Sequence, residues 1–269
     1  MQSRPAQDFS YNPDHFLPPA TAHIQNVTEQ EDPVNPLDTL QVHVRGHLVF
    51  AMGGACLCYL PDRCITVLPG SALWIPGGVK HRFFHSDLAA SGYLFLDPAR
   101  YTMSDTICSL VLPEYVQYGI RHLAESDPSQ GFSQRNGRLF GVLLDEIQSA
   151  HRGLAIQAPL PRHPRLIELQ AKLANNPGSP LKLEDWADML HMSARTLERL
   201  VFKETGLSFI QWRNLIRLNA ATVLLSGRAP ISEIAYQLGY ATPSAFGQMF
   251  KRHLLMSPQD FRDQLFKTL

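Results

Sequence analysis

The hydrophobic period of this chain switches once, at a proline-stiffened stretch, and that switch limits the folds open to it. Between residues 37 and 100 the apolar runs are short: Leu48-Val49-Phe50, Cys64 to Leu68, Ala72 to Ile75 and Tyr93 to Leu96. Gly53-Gly54, Pro61-Asp62, Pro69-Gly70 and Pro76-Gly77-Gly78 cut them apart. Short strands closely spaced by turns predict an antiparallel sandwich or barrel. After Ala158-Pro159-Leu160-Pro161-Arg162-His163-Pro164 the pattern is helix and short turn only. Three prolines in six residues stiffen a connector and mark a domain boundary. Strands first and helices later predict an α+β chain of two domains.

Between these blocks, Tyr115 to Leu123 and Arg138 to Ile147 carry apolar residues at helical spacing, split by a polar stretch from Ser126 to Ser133. The expected division is 1–110, 111–160 as a helical linker, and 161–269. Residues 1–36, rich in Pro, Asn and Asp, read as a tail with an irregular entry. No charged start followed by an apolar stretch is visible, so no signal peptide is expected and the chain reads as cytoplasmic. No apolar run approaches a membrane span.

Net charge is zero, but it is unevenly distributed. Residues 1–160 hold 10 Lys+Arg against 15 Asp+Glu, and residues 161–269 hold 14 against 9. An acidic front and a basic back assign any polyanion to the back. The four cysteines, Cys56, Cys58, Cys64 and Cys108, read as small buried apolar side chains. A soft-metal or redox site remains open, with Cys56 and Cys58 on one strand face and Cys64 folding back towards them.

The back half contains two helix-turn-helix patterns. Leu183 to Leu190 is a short helix, His191-Met192 the turn, and Ser193 the cap of a second helix ending near Glu204, before Gly206. Leu197, Leu200 and Val201 face the core; Ala194, Arg195, Glu198 and Arg199 face outward. Such a face suits the major groove, where arginine takes guanine O6 and N7 together. The second unit repeats this order: Ile231 to Leu238, a turn at Gly239-Tyr240, then Thr242 capping a helix that opens on Pro243. Pro243, Ser244, Gly247 and Gln248 face outward. Ser193, Thr196, Thr242, Lys251 and Arg252 are placed for phosphates. Phe209 to Leu225 forms one long helix between the units. It would set recognition helices for successive major grooves, about 34 Å apart.

Several segments carry a resemblance: Leu183-Glu184-Asp185-Trp186-Ala187, Met192 to Leu200, Glu204 to Phe209, Ile231 to Tyr240, Pro243 to Phe246, and Met256 to Arg262. Over about residues 164–264 the chain resembles the AraC/XylS family of bacterial transcription regulators. Two departures stand out. Val201 occupies a usual Phe position, with Phe202 expected to cover the gap. Leu255 occupies a usual Gly position at a helix end. By the resemblance, base reading falls on Ala194, Arg195, Glu198 and Arg199, and on Pro243, Ser244, Gly247 and Gln248. The first unit is expected to carry more of the specificity.

The front half, through His43 to Phe50, Gly53 and Val67 to His81, resembles the cupin-type sensor domain of such proteins. This implies a cupin-like β-barrel whose mouth binds a small effector, with His43, Arg45, His47, Trp74 and His81 as lining. Gly70, Pro76, Gly78 and His81 match one cupin motif, with His85 where Asn is usual. His43 and His47, like His81 and His85, are four apart and share a strand face. Three readings stay open for them: a transition-metal site on His43, His47, His81 and His85, lining for an organic effector, or structural histidines. The other cupin motif lacks its usual His pair and glutamate.

The expected function is a ligand-responsive, DNA-binding transcriptional regulator and not an enzyme. By family analogy it is a homodimer through the helices at 115–123 and 138–147, which also read as a simple connector, and it meets RNA polymerase if it activates. A metal- or redox-sensing regulator is the alternative, and a metal cupin enzyme the remoter one.

Overall fold

The computed structural model describes residues 20–26, 40–53, 55–68, 70–85, 90–125, 133–153 and 155–267. The turn positions Gly54 and Pro69, residues 126–132 of the polar stretch, and the expected tail apart from 20–26 lie outside them.

The front half is two antiparallel sheets. The first takes β1 (Ala20–Asn26), β7 (Ala90–Leu96), β2 (Gly46–Gly53), β5 (Ser71–Ile75) and β8 (Cys108–Val111), in that order across the sheet. The second takes β6 (Arg82–His85), β3 (Cys56–Tyr59), β4 (Arg63–Val67) and β9 (Ile156–Pro159). Within the expected tail, Ala20–Asn26 is a full strand paired along its length with β7.

Alternation decides what each sheet face meets. Val49 and Ala51 of β2, Leu73 and Ile75 of β5, and Tyr93 and Phe95 of β7 point into the space between the sheets. They meet Cys56, Cys58, Ile65 and Val67 of the second sheet there. Leu48, Phe50, Trp74, Leu94 and Leu96 point the other way, onto α1 (Glu114–Glu125) and α2 (Gln134–Ser149). Val116, Ile120 and Leu123 of α1 and Phe140, Leu143 and Ile147 of α2 complete that core. Their spacing is the helical stripe read from the sequence.

The expected linker is not all helix. Its end, β9, is an edge strand paired with β4, Thr66 opposite Ile156 and Arg63 opposite Pro159. An edge position tolerates Pro159, which has no N–H to give a ladder.

The back half is helical: α3 (Pro164–Asn175), α4 (Leu183–Met189), α5 (Ala194–Thr205), α6 (Phe209–Leu225), α7 (Ile231–Gln237), α8 (Pro243–Leu254) and α9 (Pro258–Lys267). It has two cores that share α6. Phe209, Trp212 and Ile216 join α3, α4 and α5 around Leu169, Trp186, Leu197 and Val201. Leu218, Ala221 and Leu225 join α7, α8 and α9 around Ile234, Phe246, Phe250 and Phe261. Val201 is fully buried, but Phe202 is 62% exposed, so Phe202 does not fill the space beside it. Among the described residues no helix is long and apolar enough to cross a membrane.

Candidate nucleic-acid interface and histidine cluster

The pairs α4–α5 and α7–α8 repeat one local device. In the first, the Met192 N–H donates to Ala187 O at 3.0 Å; in the second, the Tyr240 N–H donates to Ala235 O at 3.0 Å. The residue just before each donor is left-handed, His191 with φ 52° and Gly239 with φ 78°. The longer helices open alike. Ser193 Oγ accepts the Thr196 N–H at 3.2 Å, and Thr242 Oγ1 accepts the Ala245 N–H at 3.2 Å. Each bond satisfies one of the N–H groups a helix start leaves without a partner. They also close alike, on left-handed Gly206 and left-handed Leu255, the latter with φ 60°. The missing glycine therefore does not change the cap; leucine adopts the glycine conformation.

Arg195, Arg199, Ser193 and Thr196 are exposed on α5 and its cap, with Ala194 half-buried. Glu198 parts from the expected base readers. Its carboxylate accepts the Phe209 N–H at 3.3 Å and so caps α6. On α8, Ser244, Gln248, Lys251 and Arg252 are exposed, as is Thr242 at its cap; Pro243 and Gly247 are half-buried.

A second layer, not read from the sequence, fixes the two pairs against each other. Arg213 of α6 donates to Leu181 O at 2.8 Å and to Ser179 O, and Arg217 donates to Pro177 O at 2.8 Å. These carbonyls belong to the α3–α4 loop. That loop in turn touches the second turn so closely that a Cβ on Gly178 would stand 2.1 Å from Gln237 O. The sequence signal is two arginines four apart on a helix with no other charge, which is helical spacing for one face, within the family-like segments Gln211-Trp212-Arg213 and Arg217-Leu218.

In the front half, His43, His47 and His81 come together. Ring centroids are 4.7 Å apart for His47 and His81, 5.3 Å for His43 and His81, and 5.6 Å for His43 and His47. His47 is 2% exposed and stacks on Phe95; its Nδ1 makes no hydrogen bond of good geometry among the described residues, although the Arg45 backbone is near enough to favour the protonated ring. Burial, then the neighbouring His81 and His43, hold its pKa well below the usual imidazole range. His81 Nδ1 lies 2.9 Å from Val79 O, and burial pushes its pKa down to about 4. Arg45 is half-buried next to the cluster in sequence.

Two expected members fall away. Phe83 lies between His81 and His85, and both nitrogens of His85 are engaged, with Tyr93 Oη at 3.1 Å and Ser91 Oγ at 3.0 Å. Trp74 points out of the opposite sheet face, and its indole N–H donates to Ser104 O at 2.7 Å. Among the described residues no three His, Cys, Asp or Glu side chains are arranged to hold a metal ion. Of the three open readings of these histidines, the transition-metal one is therefore not supported by their arrangement. Nor do the cysteines converge: Cys64 turns to the outer face of the second sheet, while Cys56 and Cys58 face inward. Burial raises all three thiols, Cys56 to about 12, so they stay protonated rather than becoming reactive thiolates.

A helical half with a capped helix-turn-helix and outward arginines, beside a β-rich half, belongs with DNA-binding transcriptional regulators, as its relatives show. Residues 186–264 match the helix-turn-helix domain family. The chain is 34% identical over 216 residues to the HTH-type transcriptional regulator NimR of Escherichia coli K12, a match covering 80% of this chain and 79% of NimR. It is 36% identical over 103 residues to the HTH-type transcriptional regulator RipA of Corynebacterium glutamicum, covering 38% of this chain and 31% of RipA. Among solved structures, the DNA-binding domain of the global transcriptional factor AdpA, in complex with a target DNA, aligns at 29% identity. That alignment covers 37% of this chain and 90% of AdpA's, with a TM-score of 0.35. The chain belongs to the AraC/XylS family of helix-turn-helix transcriptional regulators. It acts as a regulator and not as an enzyme.

Proposed function

We propose that this is a ligand-responsive regulator in which α4–α5 and α7–α8 are both DNA-binding helix-turn-helix units. The observation carrying this reading is the repeated turn and cap, held at fixed separation by α6 and the Arg213–Arg217 clamp. The helices α5 and α8 enter successive major grooves of one duplex face. Arg195 and Arg199 read bases, Ala194, Pro243, Ser244 and Gly247 allow close approach, and Gln248 adds an amide. Ser193, Thr196, Thr242, Lys251 and Arg252 take phosphates.

Residues 1–110 supply the cupin-like sensor barrel apart from β9, which the 111–160 linker and dimer-forming segment adds to its second sheet, and 161–269 form the DNA-binding domain. A small effector enters at the barrel mouth against His43, Arg45, His47 and His81. The buried ring of His47 supports this, because its contact to the Arg45 backbone is poorly aligned, and an effector group would complete its hydrogen bonding. Tyr118 on α1 and Val142 on α2 are exposed apolar side chains that a homodimer through these helices would cover. The setting is cytoplasmic, and RNA polymerase is the further partner wherever the protein activates.

Selection of duplexes from a random pool by the full chain, followed by footprinting, tests the reading. Protection should span two successive major grooves per chain. Arg195→Ala should relax preference at one or two adjacent base pairs. Uniform weakening on every sequence would remove Arg195 from base reading.

A further inference from the structure

A cleft of about 680 Å3 opens where the second sheet, the connector and the C-terminal helices meet. Leu57, Tyr59, Cys64 and Phe84, from the outer face of the second sheet, form one wall. Ile216, Asn219, Ala220, Val223 and Leu224 of α6 form the wall opposite. Pro159 to Pro161 and one face of α3, including Ile167, Gln170, Ala171 and Ala174, close the sides. The histidine cluster lies between the two sheets, so the second sheet separates it from this cleft.

The chemistry of the lining names a ligand class. Among the described residues that line the cleft there is no Lys, Arg, His, Asp or Glu, in a chain of which 18% is charged. An ion moved there from water meets no counter-charge to offset its lost hydration. An uncharged apolar molecule instead gains by leaving water for this lining. The volume lies in the range, roughly 300–1,000 Å3, of clefts that enclose small organic ligands. Polar anchoring is directional. Thr66 Oγ1 donates to Asn219 Oδ1 at 2.9 Å, leaving the Asn219 amide N–H2 to donate, and Gln170, Asn175 and Gln237 bring three more uncharged amides to the lining.

The walls belong to the two halves of the protein, and they are already tied beside the cleft. The Trp212 indole N–H donates to Pro159 O at 3.1 Å, and Glu204 at the end of α5 accepts the Arg162 N–H at 2.9 Å. An occupant would brace α6, and through it both helix pairs, against the second sheet.

We propose that this cleft is a second ligand site, for an uncharged and largely apolar small molecule, whose occupancy fixes the sensor half against α6. The bracing role rests on the DNA-binding reading above; the site itself does not.

The test uses the full chain and two near-isosteric fluorescent probes, neutral N-phenyl-1-naphthylamine and anionic 1-anilinonaphthalene-8-sulfonate. The neutral probe should bind saturably at a single site, and the sulfonate at least about tenfold more weakly. Ala171→Trp, on the exposed face of α3, should cut neutral-probe affinity by about tenfold or more. Ala174→Trp serves equally if the first variant's melting shows it misfolded. His47→Ala should leave probe affinity within about twofold, which separates this cleft from the barrel mouth. Equal affinity for the two probes, no saturable neutral binding, or binding unchanged in a folded tryptophan variant would overturn the site. Saturating neutral probe should also shift affinity for a selected duplex by about threefold or more, and an unchanged value would overturn the bracing role.

Discussion

Gly247 sits in the middle of α8, where glycine is a poor choice for the helix itself. Its chain entropy makes it about 1 kcal/mol worse than alanine in a helix interior. Nothing in the protein explains the choice, because a Cβ built there would have no heavy atom within 4 Å. A methyl would neither clash nor pack, so Gly247→Ala returns the intrinsic helix term alone. For a domain of roughly 100 residues, about 1 kcal/mol corresponds to a melting rise of about 4 °C. The same methyl stands on the face assigned to DNA. If α8 lies in a groove with its backbone against the duplex, the methyl costs contacts on the scale of one mismatched base pair, about 1–3 kcal/mol. Circular dichroism melting and anisotropy titration with a selected duplex read the two effects on one sample. The expected result is a more stable protein that binds DNA about tenfold more weakly. A variant both more stable and equally tight on DNA would remove this face of α8 from the interface. A lower melting temperature would refute the accounting of helix strain.

Other outcomes follow from the same geometry. Leu255→Gly should raise stability by about 1 kcal/mol in urea melts, since left-handed backbone is costly for a residue with a Cβ. Leu255 is 71% exposed, so Leu255→Ala should change little. Gly239→Ala should be strongly destabilising, because its Cβ would stand 2.6 Å from Gly178 O on top of a left-handed φ; chemical denaturation should show a loss above about 2 kcal/mol. Glu198→Ala should lose about 1 kcal/mol of stability without altering the sequence selected from a random pool, as befits a cap rather than a base reader. Acid should destabilise the front half. Burial holds His81 and His85 at about 4, below their unfolded value, so the native state binds fewer protons. Stability is then full above pH 6.5 and falls towards pH 4, by about 1.4 kcal/mol per pH unit for each histidine, and His85→Gln should flatten the melting-versus-pH curve.

The helical half was legible in the sequence because its signals are local. Ser193, Thr242, Pro243 and Gly206 each announce a helix end by their own chemistry, and Phe209 to Leu225 was bounded correctly by apolar density alone. The strands with apolar runs, β2, β4, β5 and β7, were legible for the same reason. Those missed depend on distant partners. The segment Ala20–Asn26 is a strand through β7, and Ile156–Pro159 through β4, although its prolines suggested only a stiff connector. Side-chain direction was harder still. His43, His47 and His81 share a cluster, but a one-residue phase difference on β5 turns Trp74 to the far side of the sheet. Glu198 pointed outward on a helical wheel, and only the fold shows that the Phe209 N–H lies within its reach.

Because the two cores of the back half grip opposite ends of one helix, α6 works as a ruler whose unit is the residue. Each residue added between Ile216 and Leu218 would carry α8 about 1.5 Å farther from α5 and turn it by about 100°. On the proposed reading, in which both helix pairs bind DNA, the binding sites for this protein would be set in phase as well as in sequence. A change of a few base pairs between the two half-elements of an operator would call for a change in the length of α6, not in the residues that touch the bases.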